Sequence, residues 1–383
     1  MIGAVGRERR DWLALAGCPL DRPLIIHLLR EVPSPRAILE LGDRELTERF
    51  GLGTRQVAAL RRVPRTEELD RQEHELDRFG IDVLPVTHAA FPRNLFQMRI
   101  PPPVLFAKGT LIEEDLLAVG IVGPRKATPY GIQVARRLAA DFAPNLTVVS
   151  GAALGVDSTA HEAALDNGGR TLAVLGCGID VNYPSGNEAL RHRIATEGGA
   201  LLSVYPPGAP PLRGHFPARN FILAGMSLAV IVVEATRTSG ALVTARAAGE
   251  EGRPVYAVPG DITRKNSEGS NLLLRDGAIA CTSASDVLAD LEPVLSGELR
   301  TLAERRRRPL APSPDSNEPA PGLSPGERTV LEMIQHHEIS HDELIDKLVP
   351  SSLSLGELST ALLMLEMGGR ILQAPGRRYM VRL

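Results

Sequence analysis

Between residues 100 and 295 short aliphatic, β-branched runs alternate with helical segments, and no other feature restricts the fold as much. LLAVGIVG, LTVVSG, TLAVLG, ALLSVYP, SLAVIVVEA and PVYAVPG are too continuously apolar to have a wet face. That is the pattern of parallel strands covered on both sides by helices. Nearly every run ends in Gly, Ser or Pro. Ligands of open parallel sheets sit outside the carboxyl ends of the strands, so these small residues mark a floor that another backbone can approach closely. The expected fold class is α/β, a Rossmann-like doubly wound, mostly parallel sheet over residues 86–298.

The flanks differ in kind. Residues 1–85 read as a helical domain of the SAM or helix-hairpin-helix type. Leu24, Ile25, Leu28 and Leu29 share one face after Pro23, and Ile38, Leu41, Leu46 and Phe50 continue the helical spacing. FGLGTRQVAALRR places a Gly-rich turn before a helix, which suits either a phosphate-touching hairpin or a plain packing domain. Residues 299–323, with the run ERRRRPLAPSPDSNEPAPG, are Pro-rich and poor in apolar residues, the composition of a linker. In 324–383 three helical stripes precede RILQAPGRRYMVRL, a hairpin expected to turn at Pro375-Gly376, and this order is that of a winged helix.

Composition removes several classes. With 383 residues and 43% hydrophobic content the chain supports one sizeable core plus accessory domains. Cys18, Cys177 and Cys281 lack the spacing of a zinc site or a redox pair, so neither metal nor cofactor is expected and a reduced, cytoplasmic setting fits. The apolar run Trp12 to Leu20 is interrupted and closed by charges and reads as a short helix of a folded domain; no membrane contact is expected. A net charge of -3 gives no global basic field, so a nucleic-acid site has to be local.

Four segments carry chemistry. In GIVGPRKATPYG, Gly123 permits a tight turn, Thr128 and Pro129 open a helix whose free N-H groups suit an anion, and Arg125 adds a planar cation. It is not GxGxxG, and no acidic residue ends the next strand to hold a ribose, which disfavours NAD. In SGAALGVDSTAHEAAL, Gly151 and Gly155 allow a strand-to-helix turn, while Asp157 and His161 read as a capping and packing pair rather than a catalytic one. YPPGAPPLRGHFPARNFILAGMS reads as a proline-stiffened extended loop presenting Arg213, Phe216, Arg219 and Asn220. An aromatic among guanidinium groups suits a nucleotide chain, the ring for bases and the cations for phosphates. In EATRTSGALVTARAAGEEGRPVYAVPG, Ser239 and Gly240 mark a second helix start able to take an anion. From Leu201 to Lys265 seven basic residues face four acidic ones, which makes a local electropositive groove plausible.

Together with FPRNLFQMRIPPPVLFAKG, TLAVLGCGIDVNYPSGN and GSNLLLRDGA, these motifs make the span from Phe91 to Gly277 resemble the DNA-processing protein A (DprA/Smf) family. The resemblance implies a non-enzymatic protein that binds incoming single-stranded DNA in natural transformation, shields it and helps load the RecA recombinase, usually as a homodimer. It assigns DNA contact to Arg125, Arg213, Phe216, Arg219 and Asn220; Gly123, Gly151, Ser239 and Gly240 join them from the turn reading.

This sequence departs from the family pattern at three places. Pro124 stands where a small hydroxyl residue is common, Phe221 where a second arginine is common, and Ser185 where a lysine is common. SLGELSTALLMLEM has no basic residue, so the tail is expected to serve a protein partner or to touch duplex DNA weakly through Arg370, Arg377 and Arg378. Two other readings stand beside this one. A nucleotide-binding enzyme similar to the lysine-decarboxylase-like phosphoribohydrolases would carry a PGGxGTxxE segment, where this chain has EATRTSGALVTA. A pure recombinase adaptor would touch DNA only incidentally.

Overall fold

The computed structural model describes residues 6–32, 34–64, 66–307, 324–334, 339–348, 355–367, 370–374 and 378–381. Two compact units, 1–307 and 308–383, divide the chain. The Pro375-Gly376 turn and residues 308–323 of the expected linker lie outside the described residues.

The first unit begins with α1 (Gly6–Ala16), α2 (Arg22–Glu31), α3 (Pro35–Glu40), α4 (Asp43–Glu48), α5 (Thr54–Leu60) and α6 (Thr66–Phe79). Trp12, Leu13 and Leu15 of α1 are buried and α1 packs on α3 and α6, so the early apolar run is a core helix here. The Gly-rich turn before α5 spends its Gly53 N-H on its own Gln56 side chain, at 2.9 Å.

After these helices come β1 (Asp82–Pro85), α7 (Arg93–Phe96), β2 (Val104–Gly109), β3 (Ala118–Val122), α8 (Pro129–Phe142), β4 (Thr147–Ser150) and α9 (Val156–Asp166). Next are β5 (Thr171–Leu175), α10 (Glu188–Thr196), β6 (Gly199–Ser203), α11 (His215–Met226), β7 (Ala229–Val232), α12 (Gly240–Glu250), β8 (Val255–Ala257), α13 (Glu268–Arg275), β9 (Ile279–Ala280) and α14 (Ala284–Arg307). All strands join one nine-stranded sheet of order β1-β2-β6-β5-β4-β3-β7-β8-β9. The steps from β6 through β9 are parallel, and the antiparallel β2 and β1 extend the β6 edge.

The six strand runs read from sequence are β3 to β8. The order moves outward one way from β3 to β5 and the other way from β7 to β9. Right-handed crossovers then put α8 and α9 on one face and α11 and α12 on the other, and α8 packs on α9 as α11 packs on α12. The fold is thus the doubly wound sheet expected, with the reversal of strand order between β3 and β7. Ile121, Phe142, Val148, Ile231 and Tyr256 are all buried in the core between sheet and helices.

Two buried polar contacts tie layers together. The Asp115 carboxylate, 4% exposed, accepts from Arg170 Nε at 3.0 Å, Arg170 Nη2 at 2.9 Å, Thr147 Oγ1 at 3.0 Å and the Ile112 N-H at 2.9 Å. It therefore joins the approach to β3 to the starts of β4 and β5. On α9, His161 is fully buried with Nδ1 2.6 Å from Thr171 Oγ1, while Asp157 accepts from the Ala153 N-H at 3.4 Å. The two side chains pack and cap as expected, each with its own partners. Burial, reinforced by the charge of Arg219, pushes the His161 pKa from 6.5 down to about 3.

The second unit holds α15 (Pro325–Ile334), β10 (Ile339–Ser340), α16 (His341–Leu348), α17 (Leu355–Met367), β11 (Ile371–Ala374) and β12 (Arg378–Val381). The strands form a sheet of order β10-β12-β11. Val330, Leu344, Leu358, Leu362 and Tyr379 are among its core residues. This is a winged helix, with the short β10 added to the hairpin that the sequence indicates. On α17 the described exposed side chains include Glu357, Ser359, Thr360 and Met364, none cationic.

Replacing Asp115 with Ala strands the Arg170 guanidinium and should cost about 3 kcal/mol in urea unfolding; a variant as stable as the parent would refute the tie. For His161 the depressed pKa means that the unfolded chain takes up a proton the folded chain refuses. Stability is therefore lost as pH falls from 6.5 toward about 3. Between about pH 7 and about pH 5 the parent should lose roughly 2 kcal/mol more than a His161→Gln variant, and parallel pH profiles would contradict this.

Candidate functional site

Because the strands from β3 to β8 run parallel, the loops that follow them emerge at one edge of the sheet. A cleft of about 110 Å³ opens there over the ends of β4 and β5, and Arg125, Leu154, Leu175, Tyr183, Phe216 and Arg219 are among its lining residues.

Arg219 forms its floor. The side chain is 6% exposed, and its Nη1 donates to the carbonyls of Val174, at 2.7 Å, and of Gly151. One guanidinium thus joins the end of β5 to the turn after β4. A Cβ at residue 151 would lie 1.8 Å from Nη1, so Gly151 is a glycine because this arginine lies against it. Gly123 is similarly closed off, since a Cβ there would meet Val156 at 2.5 Å. Neither glycine is the open floor for a ligand backbone that the strand ends suggested. Burial lowers the Arg219 pKa from its ordinary value, and the Asp157 carboxylate opposes that shift.

Phe216 is half-buried and Arg125 is exposed on the loop after β3. The Arg125 guanidinium sits over the Phe216 ring, 5.2 Å from the centroid, and its Nη1 is 3.3 Å from the Tyr183 hydroxyl. The Tyr183 ring lies 5.7 Å from that of Phe216, tilted by 48°. Arg213 is exposed just before α11 and makes no hydrogen bond or ion pair with the described residues. Asn220 is buried, and its Nδ2 donates to the Gly240 carbonyl at 3.2 Å, which fixes α11 to the first residue of α12.

The proline-stiffened loop is therefore not the structure of this segment. His215 opens α11, and Pro217 occupies its first turn, where a missing N-H does no harm. Phe216 and Arg219 reach the end of β5 while Asn220 reaches α12, and of the four residues only Arg213 stands on a loop.

The two expected anion-accepting helix starts also differ from each other. Thr128 caps α8 as its sequence indicates, with Oγ1 accepting from the Gly131 N-H at 3.2 Å. That terminus is not open, however. Glu234, 2% exposed just after β7, accepts from the Thr128 N-H at 3.0 Å and the Thr128 hydroxyl at 2.6 Å. The chain supplies its own anion there. At α12, Ser239 Oγ accepts from the Ala241 N-H at 3.3 Å and Gly240 is exposed, so this terminus stays accessible.

Three residues that build the site carried little sequence signal. Tyr183 could have been flagged as an aromatic directly before Pro184. Glu234 could have been flagged as the acid closing the run AVIVVEA. Arg191 gave no sign at all: it is buried on α10 and donates to the carbonyls of Ile179 and Val181, each at 2.6 Å, and of Tyr183 at 3.4 Å, which shapes the loop holding Tyr183. Asp180 links that loop to the next by accepting from the Gly208 N-H at 2.9 Å. Among the described residues no group of three His, Cys, Asp or Glu is placed to hold a metal, and no helix is long and apolar enough to cross a membrane.

The family model for DNA recombination-mediator protein A matches residues 82–292, and that for the DprA winged helix domain matches 314–377. Protein Smf of Synechocystis is 36% identical over 320 residues, covering 76% of this chain and 78% of that protein. DNA processing protein DprA of Streptococcus pneumoniae is 43% identical over 202 residues, 53% of this chain and 71% of that one. The X-ray structure of the Streptococcus pneumoniae protein superimposes with a TM-score of 0.62 at 34% identity, covering 74% of this chain and 98% of its own. DNA processing protein A of Helicobacter pylori, whose structure is described in terms of its single-stranded DNA binding mode, superimposes with a TM-score of 0.50 at 31% identity, covering 56% and 97%. With one family model spanning more than half of its length and the winged helix accounted for by a second, the chain belongs to the DNA recombination-mediator protein A family.

Proposed function

We propose that this protein binds single-stranded DNA along the edge of the sheet where the cleft opens, protects it, and hands it to the RecA recombinase during natural transformation. It does so as a homodimer in the cytoplasm and without a chemical step of its own. The observation that carries DNA binding is the stack of Arg125 on Phe216 beside Tyr183, above the buried guanidinium of Arg219. Ring faces suit bases and exposed cations suit phosphates, and neither reads sequence along a strand. Among the described residues Arg125 is held over the ring only by the cation-π contact and a 3.3 Å hydrogen bond at the surface. Such contacts are exchanged cheaply for a phosphate. The swing of Arg125 onto the backbone then frees a ring face for a base, while Arg213 meets a neighbouring phosphate and Asn220 holds the exposed end of α12, with Ser239 and Gly240, in reach of the next.

The single-stranded DNA binding described for the Helicobacter pylori protein supports the same ligand, and membership of the family supports the recombinase and dimer roles. The nucleotide-hydrolase reading lacks its Gly-rich phosphate cradle, because EATRTSGALVTA stands where PGGxGTxxE would, and the start of α8 is filled by Glu234. The winged helix, lacking cations on the described exposed face of α17, is assigned to a protein partner.

Fluorescence anisotropy with labelled oligo-dT and a blunt duplex of equal length tests the proposal. The single strand should bind more tightly, with a log-log salt slope of about 0.7 per phosphate neutralised. Arg125→Ala and Phe216→Ala should each weaken binding roughly tenfold. Equal retention of duplex, or both variants binding like the parent, would sink it.

A further inference from the structure

The carboxyl edge of the sheet carries a second surface, on the far side of β3 from the cleft. The loops after β3 and after β8 are two strands apart in the sheet order, yet they meet above the end of β7. Asn266 Nδ2 donates to the Lys126 carbonyl at 3.2 Å, and the Ala235 N-H, just after β7, donates to the Asn266 carbonyl at 2.8 Å. The Tyr130 hydroxyl, in the first turn of α8, donates to the Pro259 carbonyl at 3.2 Å. A pinned ring results. Tyr130 is 41% exposed, and no ring or cation of the described residues lies against its face. The same three loops carry Lys126, Arg237, Arg264 and Lys265, all exposed. The exposed acids beside them, Asp261 and Glu268, stand 3.7 Å from Arg264 and Arg237. The ammonium groups of Lys126 and Lys265 make no hydrogen bond or ion pair with the described residues.

Resting on the single-strand reading above, we infer that this surface is a second station for the strand, where the face of Tyr130 stacks a base and Lys126 and Lys265 meet neighbouring phosphates. Arg125 and Lys126 are consecutive and both exposed, so a backbone leaving the cleft passes directly from one cation to the next. The hydroxyl bond to Pro259 has already fixed the ring, and a base that stacks on it does not have to order the side chain first. Every base has a face to offer, so this station is as tolerant of sequence as the first. The two lysines are the better placed cations: they meet phosphate without leaving a partner, whereas Arg237 and Arg264 each have a carboxylate nearby. A protein partner finds less here. Among the described residues of these loops Ile262 is the only large aliphatic side chain left exposed, and one side chain does not make an apolar patch. Two stations separated along the edge give a footprint longer than the cleft, so their joint use is read from strand length.

Labelled oligo-dT strands of about four and about sixteen nucleotides are the probes, a span over which single-strand sites commonly range. With the full-length protein, Tyr130→Ala should weaken the long strand about tenfold. The short strand should lose far less, because the stack of Arg125 on Phe216 holds it. Tyr130→Phe keeps the ring and gives up the bond to Pro259, and it should bind the long strand close to the parent. A loss as large as that of Tyr130→Ala would assign the residue to holding the loop and overturn the stacking role. Lys126→Ala combined with Lys265→Ala should lower the log-log salt slope of the long strand by about 1.4 and leave that of the short strand in place. Long-strand affinity and slope unchanged in both the tyrosine and the lysine variants, or losses equal at the two lengths, overturn the second station and leave the single-strand reading standing. Failure of the parent to bind oligo-dT of either length overturns that reading instead.

Discussion

A buried guanidinium without a carboxylate in contact is the constraint around which this edge of the sheet is organised. Arg219 is 6% exposed, and the carbonyls of Gly151 and Val174 carry its burial, with Asp157 acting at longer range. Removing such a charge from water is costly unless fixed dipoles replace the water. The strand ends supply those dipoles only while β4 and β5 hold their register and α11 holds its place. The same bonds that satisfy the arginine therefore position the floor of the cleft. Glycine at 151 follows from this, because any side chain there would take the space of the guanidinium.

The loops above that floor are held by the protein rather than left for a ligand to order. Arg191 gathers three carbonyls of the segment leading to Tyr183, Asp180 ties that segment to the loop after β6, and Glu234 fixes the start of α8. The turn after β4 presses against the turn after β3 at Gly155, where φ is 88° and a Cβ would meet the Pro124 carbonyl at 2.5 Å. Ordering loops on binding consumes affinity, so a surface whose loops are already placed keeps more of its contact energy for the ligand. Arg125, by contrast, is held by a cation-π contact and a 3.3 Å hydrogen bond at the surface.

The core of the fold was legible because its strands are buried on both faces and therefore continuously apolar. β3 to β8 could be read in this way, and so could the helix starts at Thr128 and Ser239. β1 and β2 were not, since an antiparallel pair added at one edge lacks the strand-helix alternation that identifies the rest. The error over α11 has a definite cause: Pro217 was taken as a loop stiffener although the first helical turn accepts proline. The spacing of Phe216, Arg219, Asn220 and Leu223, at i, i+3, i+4 and i+7, is a buried helix stripe in which two positions are polar. Polar residues hid the period because sequence patterns presume that a core face is apolar.

Counting charges along the chain also misjudged how the site works. Of the seven basic residues between Leu201 and Lys265, Arg219 is spent partly on carbonyls, Arg253 precedes β8 and so lies toward the opposite edge, and Arg237 and Arg264 face Glu268 and Asp261 at 3.7 Å. What remains is exposed Arg213, Arg246 and Lys265, joined by exposed Arg125 and Lys126 from the loop after β3. A net charge of -3 is compatible with the proposed nucleic-acid surface, which needs few cations to meet phosphates directly. The arginines divide by environment. Arg125 and Arg213 stay in water, where they meet charge at little desolvation cost. Arg191 and Arg219 are buried, where a planar cation with five donors can organise several backbone carbonyls at once. A lysine could replace the first kind with modest loss. It could not replace Arg191 in the same way, because Arg191 spreads two nitrogens of its fork over the carbonyls of Ile179, Val181 and Tyr183.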